Sequence, residues 1–143
     1  MERTASAVWS GGLKDGKGAI SSQSGVLSET PYSFTTRFEG TKGTNPEELI
    51  AAAHAGCFTM ALSAQLGTMN FTPQSLRTTA TLSFEKLEGG WTISKIHLDV
   101  AGRVPGISAE AFQNAAQSAK ANCPVSRVLK AEITMSASLQ QAA

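Results

Sequence analysis

The period of apolar and polar positions changes several times along the chain, and each change marks an element. Ala5 to Trp9 and Gly18 to Ser22 are short β-forming runs, and Gly11-Gly12 and Asp15-Gly16 between them carry turn chemistry. Pro31 to Phe38 follows with Tyr32, Phe34 and Thr36 alternating against Ser33, Thr35 and Arg37, which predicts a strand with Arg37 on the face opposite Tyr32 and Phe34. Leu76 to Leu87 alternates again, with Ala80, Leu82 and Phe84 on one face. Gly89-Gly90 then turns the chain into a long strand, Trp91 to Val104, carrying Ile93, Ile96, Leu98 and Val100. Ser108 with Glu110 opens a helix that runs to about Ala121 with Phe112, Ala115, Ala116 and Ala119 on one side. Asn122-Cys123-Pro124 breaks it, a short helix continues to Leu129, and Ala131 to Leu139 is a last strand. Strands, helix, hairpin, helices and strand in that order predict an α+β fold, with residues 1–143 forming a single domain.

The stretch between the two β regions differs in kind. Thr44 or Asn45 caps a helix, Pro46 suits its first position, and Glu47 and Glu48 face the positive end of its dipole. From Leu49 to Leu62 nearly every residue is apolar and small, so the helix, expected over Pro46 to Leu66 and stopping at Gly67, is expected to be buried. It carries His54 and Cys57 three residues apart. At about 100° per residue, Glu47 lies within about 20° of His54 and about 80° of Cys57, whereas Glu48 points to the opposite side. Ten residues of straight helix also put Glu47 about 15 Å along the axis from Cys57. Either the helix start is bent, or the two act through an arginine and a second subunit.

Charge and composition narrow the partners. The 143 residues are 41% hydrophobic and 16% charged, with a net charge of +1 and no basic run, which argues against nucleic acid. The apolar run is shorter than the ~18–20 residues of a bilayer span and is interrupted by His54, so no membrane association is expected. Met1-Glu2-Arg3-Thr4 lacks the pattern of a signal peptide, which points to the cytoplasm. Two cysteines in a reducing compartment favour free thiols or a transient bond over a structural disulfide.

Cys57 alone is either small hydrophobic filler or a nucleophile. Cys123 stands before Pro124 at the start of a helix, where exposed N–H groups favour a thiolate. Together they suggest a redox couple that only the fold can assemble, since they are 66 residues apart. Arg37 is either a solvated strand residue or the fixed cation a buried thiolate needs, and Glu47 either matches the helix dipole or orients that arginine by a two-pronged pair. His54 is a base for Cys57 or a polar tip reaching a surface. A zinc site from Cys57, Cys123, His54 and His97 has no matching spacing, and neither a phosphate-binding glycine loop nor a GxSxG motif is present. No metal and no cofactor are expected.

Arg37-Phe38-Glu39-Gly40, Gly43-Thr44-Asn45-Pro46-Glu47-Glu48-Leu49-Ile50, Ala52-Ala53-His54-Ala55-Gly56-Cys57-Phe58 and Cys123-Pro124-Val125-Ser126 resemble the OsmC/Ohr family, and within it the osmotically inducible OsmC branch. Ser24-Gly25-Val26-Leu27 and Leu129-Lys130-Ala131-Glu132-Ile133 extend the likeness over nearly the whole chain. The resemblance implies an oxidoreductase of the antioxidant response, a peroxidase reducing organic hydroperoxides, and hydrogen peroxide less well, to alcohols and water. It implies that Cys57 is the peroxidatic thiol and Cys123 the resolving one, closing a redox-active disulfide, with Arg37 and Glu47 activating Cys57. It further implies an intertwined homodimer of mixed sheets around buried central helices and an external dithiol reductant such as a lipoyl group. An apolar pocket of residues such as Phe38, Leu49, Met60 and Phe71 would then receive the alkyl group. The alternative is a thiol redox sensor or binding module without sustained turnover.

Overall fold

The computed structural model describes residues 1–140. In chain order it contains β1 (Ala5–Ser10), β2 (Lys17–Ser22), β3 (Thr30–Tyr32), α1 (Phe34–Phe38), α2 (Pro46–Thr68), β4 (Ser75–Leu87), β5 (Gly90–Arg103), α3 (Ala109–Asn122), α4 (Pro124–Val128) and β6 (Glu132–Gln140). This is an α+β fold with two three-stranded sheets, β1-β2-β3 and β4-β5-β6. The chain divides into two compact units, Met1–Leu49 and the residues from Ile50 onward.

In the first unit β1 and β2 form the expected antiparallel hairpin, from Ala5 opposite Ser22 to Ser10 opposite Lys17, and β3 pairs antiparallel with β2. Gly18 makes the sheet's aromatic pair possible. A Cβ there would lie 2.6 Å from the Trp9 ring and 2.5 Å from the Tyr32 ring, whose centroids are 5.5 Å apart across it. Every residue of β1 is exposed within this chain, Val8 and Trp9 included.

The strand expected over Pro31 to Phe38 stops at Tyr32, and Phe34–Phe38 is helical instead. The cause is local hydrogen bonding. Ser33 is extended and its hydroxyl accepts from the Thr36 N–H at 3.4 Å, while the Thr36 hydroxyl accepts from the Ser33 N–H at 2.9 Å. This reciprocal capping box starts a helical turn that the period-two pattern disguises. Phe34 and Phe38 consequently stack on one helix face at 4.8 Å, and Arg37 does not alternate against them as in a strand.

In the second unit β4 and β5 pair antiparallel and β6 adds in parallel to β5 by way of α3 and α4. Ile93 and Ile96, which have opposite parity, both reach the core side because the register slips beside Ser94: Lys95 faces Ser83 but Ile93 faces Phe84. The core is built from Phe58, Leu62 and Leu66 of α2, Ile96, Leu98 and Val100 of β5, and Phe112, Ala115, Ala116 and Ala119 of α3.

Within this chain α2 buries one stripe, His54, Phe58, Leu62 and Leu66, and leaves Ala52, Ala53, Gly56, Met60, Ser63 and Ala64 exposed on the other side. The helix is therefore covered on one face only, although its composition reads as apolar all round. At 23 residues, with a mean hydropathy of 1.4 in its most apolar window, it is also long and apolar enough to cross a membrane by length and composition. The helix runs on through Gly67, where it was expected to stop, and ends at Thr68.

Gly102 of β5 lets α3 dock. A Cβ at this position would lie 2.7 Å from the Phe112 ring and 3.1 Å from Leu76, and Phe112 is fully buried with no room to turn away. Gly102→Ala should lower the unfolding free energy by about 1–3 kcal/mol through overpacking, measured by urea denaturation as a lower midpoint at unchanged slope.

Candidate active site

Two clusters hold the residues singled out from the sequence, one in each unit. In the first unit Arg37 and Glu47 form a two-pronged ion pair. Arg37 Nε donates to Glu47 Oε1 at 3.0 Å and Oε2 at 3.3 Å, and Nη2 donates to Oε1 at 2.8 Å. Asn45 sets this geometry from both sides. Its Oδ1 accepts from the Glu48 N–H at 2.8 Å, capping α2, while its Nδ2 donates to the Thr36 carbonyl of α1 at 3.2 Å. The α1 turn is thereby held against the first turn of α2, and Arg37 meets Glu47. Glu47 is buried, so its carboxylate has exchanged water for the guanidinium, and the fork fixes the arginine plane. Arg37 also lies over the Phe38 ring at 5.4 Å and lines a cavity of about 290 Å³ with Trp9, Leu13, Tyr32, Ser33, Phe34 and Phe38. Glu48 caps nothing and is exposed, as its helix phase implies.

In the second unit α2 presents Cys57 and the junction of α3 and α4 presents Cys123. Both are free thiols, Cys57 half-buried and Cys123 fully buried in the core cluster against which Cys57 packs, and each shifts the titration of the other. Cys123 ends α3, its N–H donating to the Ala119 carbonyl at 2.8 Å, and precedes Pro124 at the first position of α4. As a neutral thiol Cys123 makes no capping bond. Its anion is better placed. Burial alone pushes the Cys123 thiol up, but the Ser126 N–H, the Cys57 thiol, the Ser126 hydroxyl and the Val125 N–H together outweigh burial and bring it below its ordinary value. Cys57 moves the other way: burial raises it, and Cys123 raises it further against the pull of the Val125 N–H. Cys123 is therefore the readier of the two to ionise.

His54 reaches this cluster from one turn earlier on α2. It is fully buried, and its Nε2 lies 2.8 Å from the Ser126 hydroxyl. It thus bonds Ser126 and not Cys57. Ser126 is the member of the cluster that residue-type reasoning left without a role. The spacing was visible in Cys123-Pro124-Val125-Ser126, which places Ser126 in the first turn of α4. His97 lies on β5 beside Thr134 of β6, its Nδ1 2.6 Å from that hydroxyl. Among the described residues no three or more His, Cys, Asp or Glu side chains are grouped to hold a metal ion.

Burial pushes His54 below 6.5, so at mildly acid pH the unfolded chain binds more protons than the folded one. The stability this contributes is complete above about pH 6.5 and falls as the pH drops toward the folded-state value, by at most ~1.4 kcal/mol per pH unit. His54→Asn should remove that part of the acid slope in urea denaturation run from about pH 7.5 to about pH 5.

Comparison with known proteins places these two clusters in context. Residues 39–138 match the family described as OsmC-like protein. The chain is 56% identical over 135 residues, 94% of each protein, to "Peroxiredoxin OsmC" of Escherichia coli (strain K12). It is 28% identical over 124 residues, 86% of this chain and 89% of the relative, to "Organic hydroperoxide resistance protein OhrB" of Bacillus subtilis (strain 168). The crystal structure of Bacillus subtilis OhrB superposes with a TM-score of 0.70 at 26% identity over 94% of this chain and 98% of that one. An organic hydroperoxide resistance protein from Elizabethkingia anophelis gives 0.71 at 25% identity, covering 98% and 99%. By sequence match over most of its length and by fold, this chain belongs to the OsmC-like protein family.

Proposed function

We propose that the chain is a cysteine-based peroxidase that reduces organic hydroperoxides to alcohols and water, with Cys57 as the peroxidatic thiol and Cys123 as the resolving one. The observation that carries this reading is that two free thiols 66 residues apart in sequence meet at one core cluster. A lone buried cysteine is filler. Two brought to one place are a dithiol ready to become a disulfide. The names of the relatives, a peroxiredoxin and an organic hydroperoxide resistance protein, point to the same chemistry.

The Cys57 thiolate attacks the distal oxygen of the hydroperoxide. The O–O bond breaks, the alkoxide leaves and takes a proton to become the alcohol, and Cys57 carries the hydroxyl as a sulfenic acid. Cys123 then attacks the Cys57 sulfur, the S–S bond forms, and the S–O bond breaks to release water. An external dithiol, a lipoyl group being one of suitable chemistry, reduces the disulfide by exchange. Cys57 differs from Cys123 in exposure. It is half-buried and reachable by substrate, whereas Cys123 is fully buried and suited to meet only a neighbouring sulfur.

The first step needs a cation that draws the shared negative charge onto Cys57 and stabilises the leaving oxygen. Arg37, held planar by Glu47, is the residue built for it. Because α2 is helical without interruption, about 15 Å of axis separates residue 47 from residue 57, so the pair acts on the cysteine of a second copy in a homodimer. The exposed stripe of small residues on α2 suits close approach of another helix. The apolar wall beside Arg37, made by Phe34, Phe38, Trp9 and Leu13, suits an alkyl chain. Of the residues expected to form the alkyl pocket, Phe38 lines this wall, and Met60, 78% exposed in the chain, lies on the uncovered stripe of α2. A cytoplasmic location accords with free thiols.

Cys57→Ser should abolish hydroperoxide consumption, and Cys123→Ser should complete one turnover and retain a sulfenic acid that dimedone traps. Full activity in Cys57→Ser would sink the assignment. A disulfide without sustained turnover with any dithiol would favour a sensor. Arg37→Met and Cys57→Ser chains, each inactive, should regain about half of wild-type activity per dimer when purified together as a mixed dimer, because one site then has both groups. No recovery would place the arginine in the same chain as the cysteine it serves.

A further inference from the structure

Packing alone does not hold Arg37, because its side chain is 39% exposed. Polar ties from the start of α2 set its place. The Glu47 fork grips the guanidinium. Asn45 grips the backbone behind it. Its Nδ2 donates at 3.2 Å to the Thr36 carbonyl, which belongs to the peptide bond leading into Arg37. Carbonyls in the last turn of a helix have no partner within that helix, and in the five-residue α1 the Asn45 amide takes this one. At its other end Asn45 Oδ1 accepts from the Glu48 N–H at 2.8 Å and caps α2.

Thr36 is a firm point to grasp. Its hydroxyl accepts from the Ser33 N–H at 2.9 Å, and its own N–H donates to the Ser33 hydroxyl at 3.4 Å. On the returning chain Gly43 passes so close that a Cβ there would lie 2.8 Å from the Thr36 methyl. The Asn45 amide closes this loop across nine positions, so the peptide plane before Arg37 is fixed from the same turn that supplies Glu47.

We infer that Asn45 is a positioning residue for the peroxide-reducing step: one end of its amide caps α2, and the other orients the peptide before Arg37 so that the guanidinium meets the Glu47 fork in a single pose. The inference rests on the peroxidase reading above and on the role of Arg37 in it. Asn45 itself touches no reacting atom. In the step it serves, the Cys57 sulfur gives two electrons to the O–O bond and keeps the distal oxygen as a sulfenic acid, while the alkoxide leaves and takes a proton from solvent as the alcohol.

The two ends of the amide can be separated by substitution. A side-chain oxygen is enough for the cap, and serine supplies one. The serine hydroxyl is one bond shorter and is used by the cap, so it does not extend to Thr36. Asn45→Ser therefore keeps α2 and releases the tie to α1. Losing one hydrogen bond that orders a catalytic group slows the step by roughly three- to tenfold.

Stopped-flow single turnover with an alkyl hydroperoxide tests this, because sulfenic acid formation scales with peroxide concentration and disulfide closure does not. Asn45→Ser should slow the first phase as stated, keep the wild-type closure rate, and unfold in urea at the wild-type midpoint. Asn45→Ala should slow the first phase equally but unfold at a lower midpoint, since it loses the cap as well. On an Arg37→Met background, where the residual first phase is read at high peroxide, Asn45→Ser should change nothing further. Proton–nitrogen NMR should show the Arg37 Nε–H exchanging with solvent faster in Asn45→Ser than in wild type. A first phase at the wild-type rate in Asn45→Ser, or an equal slowing on the Arg37→Met background, would overturn the inference while the peroxidase reading stands. Arg37→Met reacting with peroxide at the wild-type rate would remove the role on which the inference rests, and the inference with it.

Discussion

Two thiols held at one core cluster are the constraint around which the second unit is arranged. A thiol pair can hold a single negative charge in a mostly apolar core only if something other than water solvates it, and the supply is unequal. Cys123 has the N–H groups of Val125 and Ser126 and the Ser126 hydroxyl, whereas Cys57 has burial and the charge of its neighbour working against it. Cys123, the fully buried sulfur, is accordingly the readier of the two to ionise. In the proposed reaction the charge has to pass to Cys57, a task that suits a fixed guanidinium better than bulk solvent.

The surrounding structure serves that placement. Cys57 must project from a helix rigid enough to hold it, and α2 is anchored along one stripe by Phe58, Leu62 and Leu66 against β5 and α3. Thr59 ties the same turn to the sheet, its hydroxyl donating to the Ala55 carbonyl at 2.6 Å and meeting the Thr78 hydroxyl of β4 at 2.8 Å. Cys123 must arrive at a chain break, because only a helix terminus leaves unspent N–H groups to face a sulfur. Pro124 provides this by ending α3 and starting α4 at once. Gly102 lets Phe112 sit close enough for α3 to deliver its last residue to that point.

The first unit answers a different requirement, the immobilisation of a cation. An exposed arginine on a strand would sample many rotamers. Here the Ser33–Thr36 capping box makes a helical turn, Asn45 clips that turn to the start of α2, and Glu47 holds the guanidinium by two oxygens. Each of these is a short-range polar contact among residues within fifteen positions of one another. A mostly exposed sheet is thereby able to carry a rigid charged group.

What the sequence determined by itself was whatever depends on neighbours along the chain. Helix α2 was legible from Asn45, Pro46 and its acidic first turn, and the faces of β4 and α3 from their periods. The choice of Glu47 over Glu48 followed from helix phase alone. The motifs around Cys57 and Cys123 were specific enough to indicate the family. Where local signals competed, the sequence misled. The period-two pattern of Tyr32, Phe34 and Thr36 concealed a capping box, because reciprocal side-chain bonds outweigh propensity in a five-residue segment. The tertiary structure alone decided what depends on residues distant in sequence. It brought Cys123 and Cys57 to one core cluster, lowered the Cys123 thiol while raising that of Cys57, left one face of α2 uncovered, and joined His54 to Ser126 across 72 positions. A spacing of that length carries no periodic signature, so only packing could join the imidazole to the hydroxyl beside the second thiol.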